Sequence, residues 1–293
     1  MGVDPIFVRW IYNYLTDRLQ YVKLGTSVSQ TLVSNTGAPQ GTVLSPFLFT
    51  IYTADHTYSS TACHIQKYSD DTAVVACVKG GDEWEYRGVI SSFTEWSRSN
   101  GLILNTAKTK EMIIDFSRKP SHQPITIDGE TIEVVKTYKY LGVHLDNKLD
   151  WSVQANALYK KGQSRLHFLR RLRAFDVSRD MLYIFYQSVV AGAVFFGVVC
   201  WGGSMTLRDR NRLDKLIGRC VSVMGRRVDS VGEVLERRMR TLMQGILSNT
   251  RHPLHQCLSA QKSNRSDSLL SLRCRTEQFK KSFVPAALRL YNS

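Results

Sequence analysis

The hydrophobic pattern of this chain changes period near residue 150, so one class of secondary structure cannot serve both halves. Upstream, apolar residues fall in short runs broken by Gly, Pro, Asn and Asp, as in strands and tight turns mixed with a few helices. Beyond Trp151 they recur at helical spacing, as in Leu213, Leu216, Ile217, Cys220 and Met224. The pattern predicts an α+β domain over residues 1–150 and an all-α domain over 151–293, each large enough to bury a core. Charge divides at the same place. Residues 1–150 carry 14 Lys and Arg against 16 Asp and Glu, a net of −2, whereas residues 151–293 carry 25 against 9, a net of +16. The positive excess thus belongs to the helical half, as expected of a lobe that grips a polyanion.

Local signals fill in the elements. Asp4 and Pro5 predict the start of a helix with Phe7, Trp10, Ile11 and Leu15 on one face. Residues 21–24 and 30–33 read as strands around a Gly-Thr-Ser turn, and an apolar helix is expected over 45–52. Residues 65–68 and 72–78 read as strands with Asp70-Asp71 at the turn between them. A helix over 82–100 would bury Tyr86, Val89, Ile90, Phe93 and Trp96 and end at Gly101. Strands follow at 112–116 and 138–145, with Asp128-Gly129 marking a hairpin between 125–127 and 131–135. Ser152 and Ser178 are expected as helix caps, and Thr206 with Asp209 as a capping box.

Several classes are disfavoured. The six cysteines form no CxxC pair, which argues for a reducing compartment and against a disulfide framework. His252, His255, Cys257 and Cys274 match no structural zinc spacing. No secretory signal opens the chain. The stretch from Met181 to Leu207 holds no charged residue, so a membrane span competes there with a buried helix. Gln187, several glycines and basic clusters at both ends favour burial.

Two segments carry chemistry. In Tyr68-Ser69-Asp70-Asp71, adjacent carboxylates at a hairpin tip repel each other unless a cation neutralises them. Such a pair suits Mg²⁺, which takes oxygen ligands and shares its shell with substrate phosphates. About thirty residues upstream, Gly37-Ala38-Pro39-Gln40-Gly41 runs into a helix, where glycines permit close backbone approach and free amides favour phosphate. Taken alone, each reads more readily as an ordinary polar turn or Gly-Pro loop.

Their order is more specific. Gly37-Ala-Pro-Gln-Gly-Thr-Val-Leu-Ser-Pro46, Tyr68-Ser-Asp-Asp71, Gly101-Leu-Ile-Leu-Asn-Thr-Ala-Lys-Thr-Lys-Glu111 and Tyr138-Lys-Tyr-Leu-Gly-Val-His-Leu-Asp146 resemble successive motifs of LINE-type (non-LTR) retrotransposon reverse transcriptases. The resemblance runs on through the basic region to Arg273–Pro285. It implies a partial polymerase palm with a ferredoxin-like sheet, followed by a helical thumb, and RNA-directed DNA synthesis as the parent activity. Asp70 would be a direct Mg²⁺ ligand (Mn²⁺ being an alternative) and Asp71 a weaker one. Lys108 would neutralise or protonate the leaving pyrophosphate. Gly37, Pro39, Gln40, Gly41 and Tyr68 would line the template and nucleotide pocket, and Tyr140, Leu141 and Gly142 would match the primer-grip turn. The implied partners are an RNA template, a DNA primer and deoxynucleoside triphosphates, without a small organic cofactor, inside the cell in nucleus or cytoplasm.

Ser69 stands where the family usually has alanine. The family's first palm motif, with its own metal-binding aspartate, has no match among the 36 residues before Gly37, whose only aspartates are Asp4 and Asp17. The expectation is therefore an N-terminally truncated copy, inactive alone. The rival readings are a non-catalytic nucleic-acid-binding remnant and a protein anchored through residues 181–207. Lys160-Lys161, Arg170-Arg171-Arg173 and Arg237-Arg238-Arg240 are candidate phosphate contacts or solvated faces. Residues 157–186 faintly resemble the N-terminal segment of an AlkB-type tRNA methyltransferase homologue, with no iron or methyl-donor site.

Overall fold

The structure, a computed structural model, describes residues 3–39, 41–116, 122–262 and 268–292. It divides into two compact units, one formed by residues 1–109 and 121–133, the other by 110–120 and 134–293.

The first unit is a set of hairpins and three helices. Helix α1 (Pro5–Leu15) starts where sequence predicts, because the Asp4 carboxylate accepts a hydrogen bond from the Ile6 amide at 2.8 Å and Pro5 has no amide to strand. Strands β1 (Arg18–Gln20), β2 (Lys23–Leu24), β3 (Ser27–Val28) and β4 (Leu32–Ser34) form one folded ribbon: β2 pairs with β3 and β1 with β4. Helix α2 (Leu44–Tyr52) carries Pro46 in its first turn. Strands β5 (Cys63–Tyr68) and β6 (Asp71–Ala76) make a six-residue antiparallel hairpin, and α3 (Trp84–Ser99) follows with Val89 fully buried.

After β7 (Lys110–Glu111), which belongs to the second unit, β8 (Thr126–Ile127) and β9 (Glu130–Thr131) turn at Asp128-Gly129. Both turn residues have positive φ, 51° and 83°, as a type I′ hairpin requires. Ile125, Ile127 and Ile132 are buried against Tyr86, Ile90 and Leu104, the main apolar cluster of this unit.

Strand β10 (Glu133–Val134), where the chain passes into the second unit, leads to β11 (Thr137–Tyr140) and β12 (Val143–Asp146). The expected single strand over 138–145 is thus a hairpin that reverses at Leu141-Gly142, both at positive φ. An apolar Leu-Gly pair lacks the Asn or Asp that usually announces such a turn, which is why the run read as continuous. The expected strand at 112–116 is not formed: the short strand in this region is β7, Lys110–Glu111, just before it.

Helices α4 (Ser152–Ala174), α5 (Arg179–Phe185), α6 (Gly192–Val194), α7 (Val198–Trp201), α8 (Leu207–Met224), α9 (Val231–Ser248), α10 (His255–Ser259), α11 (Glu277–Lys281) and α12 (Phe283–Tyr291) complete the unit, with a π-helical turn over Tyr186–Ala191. Ser178 and Thr206 cap α5 and α8 as expected, whereas the N-cap of α4 is Trp151 and Ser152 is already its first helical residue.

The uncharged stretch from Met181 to Leu207 is broken by the π turn and by Gly197 at φ 61°. Its Leu182, Tyr186, Val190, Val194, Val198 and Trp201 form the centre of the largest core cluster, together with Leu158, Leu166, Leu213 and Leu216 from α4 and α8. Among the described residues no helix is long and apolar enough to cross a membrane. Gly162 lets α4 and α8 approach closely, since a Cβ there would lie 2.9 Å from a Leu216 methyl carbon. A second cluster joins α9, α10 and α12 through Met239, Met243, Ile246, Leu258 and Leu288.

Helices and small antiparallel ladders make the fold α+β. The implied ferredoxin-like sheet is not formed among the described residues, where no strand joins a sheet of more than two. Every ladder among the described residues is two-stranded, and strands of two to six residues leave little ladder for a third.

Trp201 is fully buried and its indole N–H donates to the Phe196 carbonyl at 2.9 Å. Trp201→Ala is expected to destabilise the chain by about 3–5 kcal/mol, read as a lower urea midpoint for the helical far-UV signal.

Candidate active site

Asp70 and Asp71 sit at the tip of the β5–β6 hairpin. Tyr68 faces Asp71 across the ladder, so Ser69 and Asp70 form the two-residue turn, with Ser69 at φ 54°. A serine is strained there, where glycine is preferred. Tyr68 is 62% exposed, and Asp70 and Asp71 are exposed with no hydrogen bond or ion pair to their carboxylates among the described residues. The strand next to the tip is anchored instead, one pair below the turn. The Lys67 ammonium donates to the carbonyls of Thr53 at 2.6 Å and His56 at 3.1 Å, and lies 5.4 Å from the centre of the Trp96 ring. A firm base with a free acidic tip suits a group that must meet a ligand from solvent.

The loop before α2 is held by its own hydroxyls. Thr42 donates to the Pro39 carbonyl at 3.2 Å and meets the Ser45 hydroxyl at 2.6 Å, while Tyr14 of α1 donates to Thr42 at 3.1 Å. Arg18 reaches back from β1 to the carbonyls of Thr36 and, at 2.8 Å, Gly37. Gly37 and Gly41 have φ of 66° and 77°, a conformation in which a side chain is strained. Gln40 lies outside the described residues. Arg18, Tyr14 and Thr42 were not singled out by sequence, because the contacts that give them a role span 18 to 28 residues.

Lys108 is exposed in a turn organised by Asn105, whose side-chain oxygen accepts from the Lys108 amide at 3.0 Å. Its ammonium makes no hydrogen bond or ion pair among the described residues, so nothing joins it to Asp70 or Asp71. Tyr140, Leu141 and Gly142 belong to the second unit, where Gly142 packs on Phe196: a Cβ at Gly142 would lie 3.2 Å from that ring. Leu141 holds φ 45°.

A hard cation at the hairpin tip would find two adjacent carboxylates. No group of three or more His, Cys, Asp or Glu that could hold a metal occurs among the described residues. That donor set fits an ion that keeps most of its shell from water and substrate phosphate, and falls short of a closed protein cage. His252 and His255 serve the backbone instead, the first accepting from the Leu254 amide at 3.1 Å, the second lying 2.9 Å from the Ile246 carbonyl.

Comparison with known proteins adds a second line of observation. Residues 1–145 match the family model "Reverse transcriptase (RNA-dependent DNA polymerase)". Residues 151–191 match "Alkylated DNA repair protein alkB homolog 8, N-terminal". The chain is 27% identical over 203 residues to a probable RNA-directed DNA polymerase from transposon BS of Drosophila melanogaster, covering 65% of this chain and 22% of that protein. It is 23% identical over 212 residues to the RNA-directed DNA polymerase from mobile element jockey of the same species, covering 66% of this chain and 22% of that protein. The jockey polymerase of Drosophila funebris is 26% identical over 193 residues, covering 61% of this chain and 20% of that protein. The chain thus spans about a fifth of the length of the curated relatives it matches. No solved structure matches it.

Two measurements follow from this geometry. Leu141→Asn is expected to stabilise the chain by about 1 kcal/mol, because asparagine tolerates the left-handed region that costs leucine that much, and a raised urea midpoint would show it. His56 is buried against Phe93 and Trp96, with neither ring nitrogen hydrogen-bonded among the described residues. Burial and the Lys67 ammonium push its pKa below the usual histidine range, with Asp55 partly opposing. Above pH of about 6.5 the ring is neutral folded or unfolded. Below that, only the unfolded chain takes up the proton, so stability falls with acidification. His56→Phe is expected to flatten that fall, read from urea midpoints between neutral and mildly acidic pH.

Proposed function

We propose that this chain, whose residues 1–145 match the reverse transcriptase family, is the palm and thumb portion of an RNA-directed DNA polymerase of the non-LTR retrotransposon kind and does not copy RNA by itself. The observation that carries the reading is the exposed Asp70-Asp71 pair at a hairpin tip whose strand is held by Lys67 just below the turn, within the segment that matches the family. In the parent reaction a primer 3′ hydroxyl attacks the α-phosphate of a deoxynucleoside triphosphate, forming one phosphodiester bond and releasing pyrophosphate. Mg²⁺, when bound, lowers the charge on the phosphates and favours ionisation of the attacking hydroxyl.

Asp70, at the turn, is the direct ligand in this reading and Asp71 the weaker one. Their mutual repulsion is relieved when a cation arrives. The Gly37–Gly41 backbone, free of side chains at both ends, offers close approach to template and nucleotide. Lys108, unpaired and on a turn that Asn105 holds, neutralises or protonates the leaving pyrophosphate. Leu141 and Gly142 place the primer end, and the strained leucine at the turn is the kind of outlier that binding sites retain.

Inactivity rests on the donor count. Positioning and charge neutralisation supply nearly all of phosphoryl-transfer catalysis, and two adjacent carboxylates do not by themselves fix two metal ions. The bland alternative, a polar turn, predicts no cation preference at the tip.

The test has two parts. Mn²⁺ should selectively broaden the backbone NMR signals around Asp70 and Asp71, and Asp70→Asn should abolish that. Primer extension on an RNA template with Mg²⁺ should be absent for the folded chain. Broadening no stronger at the tip than at other exposed carboxylates would remove the metal site. Extension that disappears in Asp70→Asn would show a complete site and overturn the proposed inactivity.

A further inference from the structure

The β5–β6 hairpin is fastened at two places. At its root the Ser60 hydroxyl accepts from the Cys63 amide at 2.7 Å and donates to Glu85 in the first turn of α3. Next to the tip the fastening is a single side chain. Lys67 faces Thr72 in the ladder, one pair below Tyr68 and Asp71. Successive residues of a strand point to opposite faces, so Tyr68 turns to solvent while Lys67 turns to the protein. There its ammonium donates to the Thr53 carbonyl at 2.6 Å and the His56 carbonyl at 3.1 Å, 5.4 Å from the centre of the Trp96 ring. Among the described residues no other side chain of the hairpin hydrogen-bonds to another element.

An ammonium is a poor choice for packing alone. Lys67 is half-buried, and burial pushes its pKa below the usual lysine range, with Asp55 partly opposing. A methionine would cover the same ring without desolvating a charge. What the ammonium adds is a hold on the backbone. Thr53 caps α2, whose last carbonyls carry the negative end of the helix dipole, and three donors on one nitrogen let it bind two carbonyls at once. The corner it enters is closed by His56, whose ring lies 5.1 Å from Phe93 and 5.0 Å from Trp96. The other end of α2 is held at the Gly37–Gly41 loop, where Thr42 bonds the Pro39 carbonyl and the Ser45 amide. Lys67 thus joins the two segments that carry chemistry through one helix.

We infer that Lys67 is a positioning residue for the Asp70-Asp71 pair, tying β5 to the end of α2 so that a divalent ion meets two carboxylates already set in place. The inference rests on the reading of that pair as the metal-binding group. The tie lies two residues of strand, about 7 Å, before the turn, and a tie so close leaves the tip little sweep. Without it the hairpin is held at its root alone, and an arriving ion has to order the tip itself, which lowers affinity. Charge and position act here with opposite signs. As a bare positive charge Lys67 repels a cation, so its removal would tighten binding. As a tie it prepares the site, so its removal loosens binding.

The experiment is a Mn²⁺ titration of the full chain, followed by broadening of the Asp70 and Asp71 backbone NMR signals. Lys67→Met, which keeps a stem on Trp96 and removes the donors, is expected to weaken binding about fivefold, the ordering cost of about one side chain. Lys67→Arg, which keeps donors and charge, should stay within about twofold of the parent. Both should retain the cross-strand amide signals of residues 63–68 and 71–76. Binding by Lys67→Met as tight as the parent's, or tighter, would overturn the inference. Lys67→Gln is the second variant, should Lys67→Met lose the hairpin signals, since its shorter, uncharged amide can keep one of the two bonds. Binding weaker than the parent's, with the hairpin signals intact, is expected of it, and equal or tighter binding overturns the inference. Loss of the hairpin in both variants would make Lys67 a part of the fold and overturn it as well. A parent chain without selective broadening at the tip removes the metal site and the inference with it. A parent that binds, beside a Lys67→Met that binds equally well, removes the inference alone.

Discussion

The approach of α4 to α8 is the contact on which the helical unit depends. It exists because Gly162 has no side chain where Leu216 lies, and a β-carbon there would sit 2.9 Å from a leucine methyl. Closing that gap seals Leu158, Leu166, Leu213 and Leu216 against the core residues of the broken helical stretch around Val194 and Trp201. The same approach brings Tyr159 under Arg212 at the surface. Packing below and charge placement above are thus one event. A residue that spread the two helices would open the core and draw Tyr159 away from Arg212 together.

The first unit solves a different problem. Its buried apolar residues are few, chiefly Val89, Ile125, Ile127 and Ile132, and its rigidity comes from polar cross-ties. Lys67 joins β5 to the end of α2, Arg87 bonds Glu83 and the Gln123 carbonyl, and Arg18 clasps the loop at Gly37. Such ties fix backbone positions without filling space, which suits a scaffold whose hairpin tips stay open to solvent. They are also individually weak, worth about 0.5–1.5 kcal/mol each net, so this unit is expected to be the more easily opened of the two.

Periodicity and punctuation revealed most of the elements. Asp4-Pro5, Asp128-Gly129 and the spacing of Leu213, Leu216, Ile217, Cys220 and Met224 each named a structure through local physics that operates within a turn or two. The failures share a cause. Leu141-Gly142 reverses the chain although leucine disfavours positive φ, and the tertiary contact of Gly142 with Phe196 is invisible along the sequence. The candidate site was legible at Asp70 and Asp71 because paired carboxylates at a turn are locally conspicuous. Arg18 and Tyr14 were not, because their roles are set by segments far along the chain. Among the basic clusters, runs of adjacent arginines drew attention first, yet those at 237–240 are ion-paired or bonded to backbone. The row at 208–219 is spread at helical spacing and so looks sparse in sequence while being dense in space.

That row also carries a cost that the fold does not need. Arg208 with Arg212, Arg212 with Lys215, and Lys215 with Arg219 are like-charge neighbours on one helix, and each such pair destabilises by about 0.2–0.5 kcal/mol. Together they oppose folding by about 1 kcal/mol, and α4 adds Lys161 with Arg165 and Arg170 with Arg173 without a single acid to offset them. Elsewhere in the same unit the chain neutralises its arginines as a matter of course, at Arg237 and Arg240 for example. Local rules that are obeyed nearby and broken along one helix face mark a place where something other than stability sets the sequence.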